Sequence, residues 1–599
     1  MKEKSYSAYM DEITAEELYT GLLGHGLFAD KLPAFLSSKE FCKRYPFNKK
    51  EGCKFGDIDA CDYIRYESPR NTNAVRQLGI PNPFAYSNLC KSLADNWDRL
   101  KEKLKQNTGN DSHKVSRIHI RKMQGKDGLF EMNYEKRGDK EDVVMDMMTT
   151  ARYEVHADIS NCFSSIYSHS LPWVLVEKDT AKAKANDKKE WYNKIDKCVR
   201  SVKYGETNGL LIGPHASSLL SEIVLTAVDS KLSKKYKYIR HIDDYTCYAT
   251  TYAEAEAFLT DLAKELREYD LTLNIKKTRI VELPTAAGED WINQLNSFPS
   301  FHVRTYSESD SFLMDLTKEL KEHDLSINIK KTKVEEQPPL IDEWSVPIYG
   351  FPSLSGRTKE KEIVLKRKEV KAFLDLALNL AQRKDDFAVI TYAVKMLSPK
   401  SDDDDEKRKV KLDKSALSWY LSRMHHLLLA YPYLVHVADK CVLKMEGVGV
   451  EDIKKMGDDL YRVGKEKRLW EACSYALYWS IEHEYRPEAG CDDIAKEAVG
   501  SEDCIFMLLA YLRARKDGNE TAKDKMVNEA KELCKNKKDF ERYWLFVYEV
   551  YRFEGEELVG DKVAKNKLLE KFECLRKKHG ISFIRKDFRK KCNNKIRKR

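Results

Sequence analysis

The sequence predicts an α+β fold over its first 365 residues, then an all-α helical-repeat module at 366–584 and a short basic tail at 585–599. Three observations predict it. YEVHAD at 153–158 reads as a buried strand that ends in an acid. YKYIRHIDDYTCYA at 236–249 is rich in β-branched and aromatic residues around an acidic pair, the pattern of a strand, a tight turn and a second strand. Beyond residue 366 the pattern changes: KEVKAFLDLALNLAQ, SALSWYLSRMHHLLLAY, LWEACSYALYWSIEHEY, CIFMLLAYLRARK and FERYWLFVYEVYRF each carry an amphipathic helical stripe.

The chain of 599 residues is too long for one ordinary core. Its 42% hydrophobic content can build real cores, and no apolar run is long enough to span a membrane. No signal-peptide block opens the chain, and its 14 cysteines contain no CxxC pair, which argues against a disulfide scaffold or a zinc ribbon and suggests a reducing cytoplasm. The net charge of +8 resides in RKDFRKKCNNKIRKR at 585–599, where nine Lys/Arg face one Asp, so residues 1–584 sum to zero. The tail reads either as a mobile polycation able to touch phosphate or as a solvated terminus.

The elements follow in order. An N-terminal segment, 1–60, mixes short helical patterns with turns. In 61–150, residues 114–137 read as a hairpin: RIHI alternates, GKDG turns and LFEMNY alternates back. Residues 151–365 hold the acid-bearing strands, a helix at SSLLSEIVLTAVDS (217–230) and a tandem duplication. Segments 250–284 and 304–338 share 20 of 35 residues at an offset of 54, too few copies for a solenoid. One copy is expected in the fold and the other as an added layer. SPKSDDDDEKRKVK at 398–411 is a charged loop between helices. The Trp and Tyr stripes of the helical module read as core.

The chemistry lies in two distant acidic sites. Asp158 ends its strand, and Asp243 and Asp244 sit in HIDDY, an apolar setting where carboxylates are costly unless paired or liganded. Three converging carboxylates make an oxygen-only site suited to Mg²⁺. Two such ions, Mg²⁺ or Mn²⁺, can activate a 3′-hydroxyl and stabilise leaving pyrophosphate. The chain has no G-x-x-x-x-G-K-[ST] loop and no H-E-x-x-H.

Four motifs in order carry a resemblance. DISNCF at 158–163, GLLIGPHASSLLSEIVL at 209–225, HIDD at 241–244 and LTLNIKKT at 271–278 resemble motifs of reverse transcriptases. ESPRNTNAVRQLGIPNPFAYSNL at 67–89, DISNCFSSIYSHSLPW at 158–173, ETNGLLIGPHASSLLSEI at 206–223 and ERYWLFVYEVYRF at 541–553 are similar to abortive-infection (Abi-type, AbiK-like) and related defence-associated reverse transcriptases of bacteria. The resemblance covers residues 60–300 well and the rest loosely. It implies a right-hand polymerase, with fingers at 61–150, a palm at 151–365 and an α-repeat body. It further implies a cytoplasmic, bacterial antiphage enzyme that makes DNA from dNTPs. Its partners would be the DNA product (covalently attached when a protein tyrosine primes untemplated synthesis), a noncoding RNA when one serves as template, further copies in a homo-oligomer, or a second reverse transcriptase.

By this resemblance Asp158, Asp243 and Asp244 hold the metal pair. Phe163 would clash with a 2′-hydroxyl and favour deoxynucleotides. Gly213 would let backbone approach the nascent pair, and Ser217 would lie beneath it. Lys277 would neutralise or protonate pyrophosphate. Arg117, Arg121 or Lys122 of the hairpin would hold the triphosphate, with Arg76 a further basic candidate.

Three departures stand out. Ile212 replaces the family's Gln, which weakens any expectation of ordinary templated fidelity, and His241 replaces its Tyr. The duplicate has Asn296, Ser297 and Phe298 where Ile242, Asp243 and Asp244 stand, so it is no second active site, although Lys331 would replace Lys277 if it took the first copy's place. No priming hydroxyl stands out among 32 tyrosines, of which Tyr6, Tyr9, Tyr19 and Tyr45 lie in the N-terminal segment. The reading from another class is a non-catalytic assembly protein with a relic palm.

Overall fold

A computed structural model describes residues 5–45, 60–70, 75–109, 115–117, 120–122, 130–131, 147–283, 295, 362–384, 386–398, 409–555 and 567–593. The second repeat copy at 304–338 with Lys331, residues 296–298, the GKDG turn and the acidic run at 402–405 lie outside them. The chain divides into two compact units, one of residues 1–285 with 461–599 and one of 286–460.

The first unit centres on a four-stranded antiparallel sheet in the order β6-β7-β5-β8. Its strands are β5 (Tyr153–Asp158), β6 (Lys237–His241), β7 (Asp244–Ala249) and β8 (Arg279–Glu282). Both strand expectations hold. β6 and β7 form a hairpin in which His241 pairs with Asp244 and only Ile242 and Asp243 make the turn. The first repeat copy folds as predicted, a helix and then a strand. Thr251 caps the Tyr252–Arg267 helix, whose Ala255, Phe258, Leu262 and Leu266 recur at helical spacing and are buried, and the chain returns as edge strand β8.

The His215–Leu232 helix contains the expected 217–230 segment and is buried along almost its whole length. β1 (Ile64–Pro69) and β2 (Val75–Ile80) form a separate hairpin, followed by a helix at Pro83–Asp95 that Asn82 caps and Pro83 opens. The 114–137 hairpin survives as two short paired strands, β3 (Arg121–Lys122) and β4 (Phe130–Glu131). Upstream, Ser116 bridges to Arg240 at the edge of β6.

The predicted helices follow, with two differences. FERYWLFVYEVYRF breaks at Tyr543 into Lys537–Arg542 and Trp544–Glu554. The 366–584 stretch is divided at Tyr461 between the two units, because the helices beyond it pack on the N-terminal residues. Arg542 bonds Asp62 at 2.8 Å, and Tyr475 donates to the Lys31 carbonyl at 2.9 Å. Trp479, Trp544 and Tyr548 are fully buried, so these aromatic stripes are core.

Residues 594–599 of the basic tail lie outside the described residues, and its described part is neither a mobile polycation nor a solvated end. Residues 586–593 form a helix that buries Phe588 and Cys592, four residues apart on one face. Arg589 pairs with Glu40 at 2.6 Å and Lys591 with Glu482 at 2.8 Å, so these cations are committed to the fold. The Phe588 ring packs on Phe35 and the Phe583 ring on Phe41.

In the second unit, helices Arg367–Lys384, Ala388–Leu397 and Lys414–Ala430 pack together. The end of the expected charged loop is instead a strand: β10 (Lys409–Leu412) pairs in parallel with β9 (Glu362–Leu365). Among the described residues no helix is long and apolar enough to cross a membrane.

Candidate active site

The sheet register assembles the site. Asp158 is the last residue of β5 and pairs directly with Asp244, the first of β7, while Asp243 sits in the adjoining two-residue turn. One carboxylate oxygen from each acid lies within 4.8 Å of the others. Asp158 is buried and Asp244 is exposed, so the cluster opens to solvent at one end.

The 271–278 motif closes the other side. Asn274 donates from its backbone to the Asp158 carbonyl at 2.7 Å and from its side chain to Asp158 Oδ2 at 3.0 Å. Lys277 Nζ lies 3.2 Å from the same oxygen. Ile159 N–H donates to the Asp243 carbonyl at 3.1 Å, which ties the turn to the end of β5.

The electrostatics show an excess of negative charge. Desolvation on the side of Asp244 turned to the cluster, then the charges of Asp243 and Asp158, push this otherwise exposed carboxyl up to about 7. Burial and the Asp158 charge also raise Asp243, against the opposing fields of Lys277 and Arg76. A divalent cation would relieve this crowding, and an all-oxygen donor set suits Mg²⁺ or Mn²⁺, so the residues fit such an ion. Burial holds the Cys162 thiol protonated, up to about 12, which leaves the acids as the donors.

The other candidates separate. Arg76, on β2, acts on Asp243 electrostatically. Phe163 is half-buried in a short helical turn, and its carbonyl accepts from Leu210 at 2.6 Å, which joins the first two motifs. Gly213 has φ 124°, and a Cβ there would sit 3.1 Å from that of Ala29, so its glycine answers to packing on the N-terminal segment. Ser217 is buried in the first turn of its helix.

Of the hairpin residues, Lys122 has a side-chain ion pair. Arg117 is buried beside β6, where its N–H donates to the Arg240 carbonyl at 2.9 Å. Lys122 pairs with Glu17 at 2.5 Å, and Arg121 is half-buried on β3. Of the N-terminal tyrosines, Tyr6 and Tyr19 are buried with their hydroxyls donated to Glu222 and to the Tyr45 carbonyl, whereas Tyr9 and Tyr45 are half-exposed.

Sequence reasoning gave Asn274 no role, although it lies in the same motif as Lys277. It also missed Arg240, Glu222 and Asp229, a buried charged group behind the turn. Their signal was present: Glu222 and Asp229 are seven residues apart in an apolar helix, and Arg240 interrupts an apolar strand.

Three carboxylates at the ends of adjacent antiparallel strands, with a lysine beside them, define a nucleotidyl-transfer site of the polymerase kind. Residues 101–295, about a third of the chain, match the family model for reverse transcriptase (RNA-dependent DNA polymerase). This stretch is therefore a reverse-transcriptase domain, the RNA-directed DNA polymerase class of nucleotidyltransferase. No curated protein matches the sequence.

Among solved structures the chain is similar to apo telomerase from Candida tropicalis truncated from its C-terminal domain, at 15% identity and TM-score 0.26, over 38% of this chain and 51% of that one. It thus spans about half the length of that structure. It is also similar to apo telomerase from Candida tropicalis (12% identity, TM-score 0.28, 71% of this chain and 69% of that). Telomerase from Candida albicans in complex with the TWJ fragment of telomeric RNA gives 12% identity and TM-score 0.25, over 90% and 70%.

Proposed function

We propose that the chain synthesises DNA from dNTPs by two-metal nucleotidyl transfer at Asp158, Asp243 and Asp244, on a fingers–palm scaffold. The observation that carries this reading is the convergence of the three acids within a matched reverse-transcriptase domain. Bound divalent cations would activate the attacking hydroxyl and offset charge on the leaving pyrophosphate. Asp158 would hold a cation with one oxygen while Asn274 orients the carboxylate. Lys277, exposed at the rim, would turn from Asp158 to phosphate once a cation takes its place. Phe163 would exclude the 2′-hydroxyl.

By the likeness of its motifs to abortive-infection reverse transcriptases, the enzyme would serve bacterial antiphage defence, in the cytoplasm and as a homo-oligomer. Ile212, in the place of the family's Gln, favours untemplated synthesis primed on a protein tyrosine. The burial of Tyr6 and Tyr19 directs the search for that hydroxyl to other positions. Synthesis on a bound noncoding RNA is the competing mode.

The test incubates purified protein with Mg²⁺ and dNTPs, beside a variant carrying both Asp243→Ala and Asp244→Ala. Polymer made by the wild type alone supports the reading, and polymer made equally by both defeats it. Sequencing copurified nucleic acid with and without protease separates the modes: DNA attached to the chain indicates protein priming, and one defined RNA indicates a template. A variant that makes no polymer yet still protects cells from phage would favour a relic palm.

A further inference from the structure

The turn that carries Asp243 is strained. Ile242 has φ 58°, a left-handed conformation that is unfavourable for a β-branched residue and persists only when its surroundings hold it. A buried network stands directly behind it. The guanidinium of Arg240, fully buried, meets Glu222 through Nη1 at 3.0 Å and Nη2 at 3.2 Å. It meets Asp229 Oδ2 through Nε at 2.9 Å and Nη2 at 2.6 Å. Tyr238 donates to Asp229 Oδ1 at 2.9 Å, and Tyr6, from the Tyr6–Asp11 helix, donates to Glu222 Oε1 at 2.9 Å. One further Nη1 bond goes to the Ile242 carbonyl, at 2.9 Å.

Two carboxylates and one guanidinium are expensive to bury, and well-packed apolar side chains often serve stability as well or better. The contact an apolar trio could not make is the donor to the Ile242 carbonyl. The turn is thus gripped at both central residues, by Arg240 at Ile242 and by the Ile159 N–H at Asp243.

We propose that Arg240 is a positioning residue, braced by Glu222, Asp229 and Tyr6, which holds the Ile242 turn in the one conformation that brings Asp243 and Asp244 to Asp158. This rests on the reading of those acids as the cation site. The full chain is the test object, with Mn²⁺ as the probe, titrated by electron paramagnetic resonance.

Arg240→Lys keeps a charge for Glu222 and Asp229 but cannot also reach the carbonyl. We expect it to melt cooperatively, to bind Mn²⁺ about 10–100-fold more weakly, and to exchange its 242–245 amides faster. Its kcat for dNTP addition falls while KM changes little. A neutral variant, Arg240→Gln with Glu222→Gln and Asp229→Asn, covers the case in which Arg240→Lys does not fold, and carries the same expectation.

Wild-type affinity and kcat in either folded variant overturn the proposal. Failure of both variants to fold also overturns it, in favour of a purely structural network. If the wild type binds no Mn²⁺, or Asp243→Asn binds it unchanged, the cation-site reading fails and takes the proposal with it.

Discussion

Replacing Asp243 by Asn should make the cation-free protein more stable while abolishing its activity. The carboxylate oxygens of Asp158, Asp243 and Asp244 lie within 4.8 Å of one another. Two unit charges at that spacing repel by about 3 kcal/mol at an effective dielectric constant near 20. Solvent at the exposed Asp244, with Lys277 beside Asp158, reduces this to about 1–2 kcal/mol of repulsion that Asn would relieve. Asn preserves the shape of the turn and the Asp243 carbonyl that Ile159 uses. A unit of more than 400 residues gains only about 1 °C in melting temperature per kcal/mol, so the variant should melt about 1–2 °C higher in EDTA. In millimolar Mg²⁺ the order reverses. The wild type gains stability by cation binding, the variant gains little, and polymer from dNTPs disappears. Scanning fluorimetry with and without Mg²⁺ reads both effects. A variant that melts below the wild type in EDTA, or keeps the full Mg²⁺ shift, would refute the repulsion argument and the ligand assignment respectively.

Glu471 is buried, and burial pushes its carboxyl up to about 8 from an unfolded value near 4.5. The fold therefore gains from its protonation below pH 4.5 and loses stability as pH rises from there to about 8. Glu471→Gln should flatten that slope and stabilise the protein at pH 8 by on the order of 3 kcal/mol, read from urea melts at pH 5 and pH 8; equal slopes would count against it. Phe588→Ala should cost about 3–5 kcal/mol, because it empties a fully buried ring site. A melt unchanged from wild type would show the C-terminal helix to be detached in solution. Phe163→Ala should raise incorporation of ribonucleotides relative to deoxynucleotides by about tenfold or more, seen in competition assays; an unchanged ratio would remove its gate role.

The acids were legible because an acid closing an apolar strand is costly unless it has a partner, and the sheet register then makes them neighbours. The helix and edge strand of the first repeat copy were legible from periodicity. Arg240 interrupts an apolar strand, which marks it as unusual, but its partners were not legible, since a lone charge in a strand does not say that it faces a helix rather than water. The surroundings of Arg117 and Lys122 were not legible for the opposite reason: alternation on a hairpin says which residues share a face, but not that β6 and Glu17 lie against it. The pairing of β10 with β9 and the docking of Phe588 depend on partners distant in sequence. Even so, the four-residue spacing of Phe588 and Cys592 inside the basic tail marked a buried face.

The ring contacts of Phe35 with Phe588 and of Phe41 with Phe583 set a schedule for biosynthesis. The first of these rings leave the ribosome more than five hundred residues before their partners. The nascent polypeptide must wait with that surface uncovered, a period in which chaperones have their greatest claim on it. A ribosome that stalls late would release a product holding every acid of the catalytic centre but lacking the clasp between its two ends.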